Sequence, residues 1–146
     1  MSAYPSYEQV PGSPEPGEEF GLWAALPGGE KKMEVDVEGE WPLLLTTRLG
    51  PEFLADLGAA PIERARVVVT HAPSGRVFVG GVAMDGAVPP EPGGFDVEGG
   101  SVVAVTGHFN IDVRRQCRVT AGPGRYWVVV MLGPLVTPAL QIEARG

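Results

Sequence analysis

Between residues 101 and 120, apolar and polar side chains alternate almost without interruption. Val103, Val105, Phe109, Ile111, Val113, Cys117 and Val119 hold odd positions. Thr106, His108, Asn110, Asp112, Arg114, Gln116, Arg118 and Thr120 hold even ones. A period of two sends one set to a core and the other to water or a partner. After a turn at Ala121-Gly122-Pro123-Gly124, the run from Tyr126 to Leu132 is apolar at nearly every position. That is the pattern of a central strand covered on both sides. A single strand from Ser101 to Thr120 would reach about 66 Å, against a usual length of about 20 Å. The chain must therefore bend or break, and Gly107 and the misplaced charge of Arg115 are the two candidate points.

The same reading extends to the rest of the chain. Phe20 to Leu26 is a first apolar cluster, either a short edge strand or an extended piece docked on a neighbouring molecule. Met33 to Glu38 alternates as a half-exposed strand, and Trp41 to Leu49 is another, with Pro42 near its start. Pro51 to Leu57, stopped by Gly58, has proline first, acids early and glycine last, which is the grammar of a short helix. Arg64 to His71 and Arg76 to Met84 form a hairpin about Pro73-Ser74-Gly75. Gly80-Gly81 inside the return strand marks a bulge or the close approach of another backbone. Residues 85–100 read as a long loop pinned by Phe95 and Val97. Leu140, Ile142 and Ala144 alternate in the last strand.

These elements predict an all-β chain: an antiparallel β-sandwich of about seven or eight strands with one short helix. Residues 1–20, rich in Pro, Glu, Gly and Ser, are expected to be a disordered acidic arm. Residues 21–146 are expected to be a single domain, which the chain length suits. The segment Gly122-Pro123-Gly124-Arg125-Tyr126-Trp127-Val128 resembles the turn and tyrosine that begin a late strand in immunoglobulin-like sandwiches. The resemblance implies an immunoglobulin-like architecture in the broad sense. The Cys…Trp…Cys pattern of antibody domains is absent.

Composition adds turns and an acidic balance. The 146 residues include 21 Gly and 15 Pro, and the net charge is −7. An acidic surface disfavours nucleic acid as a partner. The longest apolar run falls short of the roughly 20 residues of a membrane span. The N-terminus lacks the basic and apolar regions of a secretory signal. With a single cysteine, Cys117, a cytoplasmic location is expected. Charge is uneven. Residues 1–20 and 85–100 carry acids only, whereas Arg114, Arg115, Arg118 and Arg125 make the later region basic, a distribution that favours head-to-tail association if the two lie at opposite ends of the molecule and internal neutralisation if they do not.

Candidate chemistry is sparse. His71, His108, Cys117 and Asp112 lack the spacing of a zinc site, and His108 and Cys117 fall on opposite faces of one strand, which argues against a nucleophilic pair. Asp85, Asp96 and Glu98 lack the spacing of a calcium loop. No nucleophile elbow, phosphate loop or dinucleotide fingerprint is present. No catalytic residue, metal or cofactor is assigned. The strongest constellation is the even face, with His108, Asn110, Asp112, Arg114, Gln116 and Arg118 as binding candidates and Trp127 (or Trp41) as an aromatic platform. The leading expectation is a non-enzymatic interaction or structural module, with a protein partner or self-association. A small-ligand or carbohydrate-binding domain is the alternative, and a metal-assisted enzyme the second alternative.

Overall fold

The computed structural model describes residues 9–17, 19–51, 64–81, 95–98 and 101–146. Among them the chain forms an all-β sandwich of two sheets. In chain order the strands are β1 (Gly21–Ala25), β2 (Lys32–Asp36), β3 (Pro42–Leu49), β4 (Arg66–His71) and β5 (Val77–Gly81). They continue with β6 (Phe95–Glu98), β7 (Ser101–Asp112), β8 (Gly124–Leu132), β9 (Leu135–Val136) and β10 (Leu140–Arg145). One helix, α1 (Val113–Gln116), follows β7. Sheet one has the order β1-β3-β7-β6. Sheet two has the order β2-β10-β8-β4-β5, with β9 beside β8.

The core lies between the sheets. Sheet one contributes Leu43, Leu45, Phe109 and Ile111, and sheet two contributes Val67, Val69, Tyr126, Val128, Val130 and Ile142, all but wholly buried. Burying each such side chain is worth about 1.5–3 kcal/mol relative to exposure. An aromatic column joins the layers. Trp41 packs on Tyr126 at 4.8 Å between centroids, and Tyr126 packs on His71 at 4.7 Å. Tyr126 Oη donates to the Gly122 carbonyl four residues upstream.

Several expectations need correction. One pair is parallel, β2 with β10, so the sandwich is not wholly antiparallel. Phe95–Glu98 is a strand on the edge of β7 and not part of a loop. Gly107 lies within β7 and does not break it. The strand stops at Asp112, where the chain turns into α1. Asp112 Oδ1 accepts from the Arg114 backbone N–H at 3.1 Å, an N-cap. The helix ends within four residues because Arg118 takes a left-handed conformation, φ 52°. Gly80 proves to be a site of close approach: a Cβ there would lie 2.3 Å from the Gln116 carbonyl oxygen, so the α1 backbone rests on it. The helix expected over Pro51–Leu57 lies, beyond Pro51, outside the described residues, as do residues 85–94 and 99–100 of the loop expected over 85–100. Of the arm, residues 1–8 and 18 lie outside them too. No helix among the described residues is long and apolar enough to cross a membrane.

Candidate functional site

Two outer faces compete for attention. On sheet one the register places Trp23, Thr46 and His108 in one row across β1, β3 and β7, and Ala25, Leu44 and Asn110 in the next. Although these rows face away from the core, Ala25, Leu44, Thr46 and Asn110 are buried. The N-terminal segment contributes the cover. Gly17 sits against the Trp23 ring, and Gly12 lies so close to Gly28 that a Cβ would meet its backbone nitrogen at 2.7 Å. The Thr46 hydroxyl reaches the Pro14 carbonyl at 2.8 Å. A carbonyl can only accept, so the single Thr46 proton goes there. The 3.1 Å contact between Thr46 Oγ1 and His108 Nδ1 is then an Nδ1–H donated to the hydroxyl, which fixes the tautomer. Burial lowers the His108 pKa, against a smaller upward pull from Glu15.

The expected polar face therefore does not exist as one surface. His108 and Asn110 lie on β7 at the strap. Asp112 is buried, its Oδ1 also accepting the Trp41 backbone N–H at 3.1 Å. Arg114 leaves the face and donates from Nε to the Gly39 carbonyl at 2.6 Å. Gln116 belongs to α1 and Arg118 to its end. Trp127 is on β8, in the other sheet, and Trp41 is wholly buried. The structure brings His108, Asn110 and Asp112 onto one strand and does not bring Trp127 to them.

The remaining chemical candidates are also separated. His71 is on β4 of sheet two, where Nε2 donates to the Pro123 carbonyl at 2.9 Å and Nδ1 meets the Ser74 hydroxyl at 2.6 Å. It ties two turns together. Cys117 is buried, its thiol pushed up to about 12 mainly by desolvation, and its Sγ lies 3.6 Å from the Val67 carbonyl. Among the described residues no three His, Cys, Asp or Glu side chains converge as a metal set. The Asp96 and Glu98 side chains lie outside what is described. A wide-open cleft of about 430 Å³, bordered by Phe20, Trp23 and Val136, sits between β1 and β9.

The second outer face was missed by the sequence reading. β8 was expected to be covered on both sides, but its outward residues are not. Trp127 is 38% exposed and Met131 42%. Across the sheet the rows run Trp127, Thr70, Val77; then Val129, Val68, Val79; then Met131, Arg66, Gly81. Val77 and Val79 are 56% and 60% exposed. Arg76 lies over the Phe78 ring at 5.0 Å and Arg125 over Trp127 at 6.0 Å. The other half of the face is charged. Arg125 pairs with Glu143 at 2.9 Å, which lowers the Glu143 pKa chiefly through that hydrogen bond, and Arg145 pairs with Glu34 at 2.5 Å. The signal for this apolar half was present in Val68, Val77 and Val79, and in Val129 and Met131, which the pattern of the Tyr126–Leu132 run places in the core. No known family model matches the sequence, and no curated protein matches it either.

Proposed function

We propose that this chain is a non-enzymatic interaction module that associates with itself, and that the apolar half of the outer face of sheet two is the contact. The observation that supports this is the continuous row Val129, Val68, Val79, flanked by Trp127, Val77 and Met131. An exposed contiguous apolar patch marks an interaction surface more often than a solvated one. Arg66, Arg76 and Arg125 rim it, and arginine with aromatic and aliphatic anchors is the composition of protein interfaces. The head-to-tail attraction expected from charge carries less weight, because Arg114 and Arg125 are already engaged within the chain. A cytoplasmic setting suits a chain with one buried free thiol.

Light scattering across protein and salt concentration tests the reading. The mean mass should rise with protein concentration and persist at high salt, because apolar contact is not screened. Trp127→Asp should shift the rise to higher concentration. A monomer at every accessible concentration would overturn the proposal. Glycan binding is the second reading, favoured by one observation: the exposed Trp127 ring has Thr70 and Gln141 as its cross-strand neighbours, and sugars pair an aromatic platform with hydrogen-bonding side groups. A glycan array on the wild type and Trp127→Ala distinguishes the two.

A further inference from the structure

The two edges of sheet two are built differently. Strand β2 presents Lys32, Glu34 and Asp36 outward, all exposed. Charged side chains on an edge deter pairing with another sheet. At the opposite edge, β5 reads Val77-Phe78-Val79-Gly80-Gly81, without a charge or a proline. The direction of its free backbone groups follows from the ladder. The His71 N–H donates to the Arg76 carbonyl, its opposite residue. Hydrogen-bonded pairs alternate along an antiparallel ladder, so Phe78 and Gly80 bond to β4. Val77, Val79 and Gly81 turn their N–H and C=O groups away from the sheet, and among the described residues no strand pairs with that edge.

We infer that β5 is the joint between two copies of this chain, which pair antiparallel, edge to edge, about a two-fold axis at Val79. This rests on the self-association proposed above and names its geometry. With Val79 opposite Val79 of the second copy, Val77 falls opposite Gly81 in both directions. All three outward residues of each copy then exchange both backbone groups, and this register uses every one of them. It is self-complementary in side chains too. Val129, Val68 and Val79 meet the same three residues of the second copy, giving one unbroken row of valines across the joint. Gly81, with only Arg66 Nη1 at 3.5 Å from a would-be Cβ, leaves room for the opposing Val77. No like charges face each other within β5. An isologous contact of this kind closes on itself as a dimer and does not propagate into a fibre.

Sedimentation velocity of the full chain, with cysteine cross-linking, tests the joint. Val79 is exposed, so Val79→Lys should fold normally. It places like charges opposite each other at the axis and should raise the dimer dissociation constant at least tenfold. Val79→Cys in a Cys117→Ala background should form a disulfide-linked dimer under mild oxidation, whereas Glu34→Cys in the same background should not. A wild-type dimer that survives Val79→Lys and gives no Val79→Cys cross-link would overturn the edge joint and leave self-association standing. A wild type that is monomeric throughout would overturn both.

Discussion

The two outer faces of this sandwich invert what their residues suggest. The outer face of sheet one is polar along β7, and it is buried in part under the strap from Val10 to Gly17. The outer face of sheet two is apolar along β8, β4 and β5, and there Trp127, Met131, Val77 and Val79 are exposed. Polarity along a strand therefore does not by itself say which side faces water. What covers a face is decided by chain that is distant in sequence. Here thirty-two residues separate Pro14 from the Thr46 that holds it.

The sharpest way to break this contrast is to place the same charge on the two sides of one strand. Val130→Asp puts a carboxylate between the sheets beside Val67, where nothing can pair with it. The cost is several kcal/mol, or an equivalent upward pKa shift, and the variant should not fold at pH 7. Met131→Asp, one residue on, points outward beside Arg66. It should fold with a change within about 0.5 kcal/mol. Circular dichroism and thermal melting of the pair decide it, and equal damage from both would mean that the outer face is covered after all.

Much of the frame is legible in the sequence because strand alternation and turn chemistry are local. The hairpin about Pro73-Ser74-Gly75, the central place of β8, and the inward set Phe109, Ile111, Val113 and Cys117 all follow from period two and glycine. Gly80 was readable as a close approach, though not that α1 is what approaches. What was not legible depends on long-range geometry. Asp112 looks like one more polar residue of a long strand. It ends that strand because its carboxylate serves the Arg114 and Trp41 backbone N–H groups together, 71 residues apart in the second case. Once β7 stops there, Arg114, Gln116 and Arg118 can no longer belong to one face with His108. The apolar face was misread for a related reason. Val129 and Met131 look like core in a run that is apolar throughout, and only the finished topology shows that, among the described residues, no strand is stacked on them.

Removing the Asp112 carboxylate sharpens the boundary between β7 and α1. Asp112→Ala strands the buried Trp41 N–H and uncaps the helix, which should cost about 1–3 kcal/mol. A smaller loss in urea denaturation would mean that water replaces the carboxylate.

Thr46→Val keeps the shape of the side chain and deletes the hydroxyl that joins the strap to β3. The Pro14 carbonyl and the His108 Nδ1–H lose their partner, and the expected cost is about 1–2 kcal/mol. The loss should be local. Hydrogen exchange should quicken in residues 10–17 and stay unchanged in β4 and β8. If exchange in β8 rises equally, the strap is part of the global folding unit and not a separate cover.

The smallest effect separates the faces by pH. Burial holds the His108 pKa below its ordinary value of 6.5, so the unfolded chain binds the proton more readily than the folded one. Stability then rises with pH wherever the two states differ. The contribution from neutral His108 is complete above 6.5, and it diminishes as pH falls through 6.5 toward the lowered folded value. The nearby Glu15 carboxylate opposes the shift but is the smaller influence. The Nδ1–H bond to Thr46 exists in both protonation states, so the loss reflects the cost of charging a half-buried ring. His108→Asn retains a donor near the Nδ1 position and cannot titrate. Comparing its urea midpoint with the wild type at pH 7.5, 6.5 and 5.5 subtracts the background that the two chains share. The wild type should lose ground to the variant as pH falls. A constant difference between them would mean that the strap leaves His108 as well solvated as in the unfolded chain, and the contrast between a covered face and an open one would then fail at its central residue.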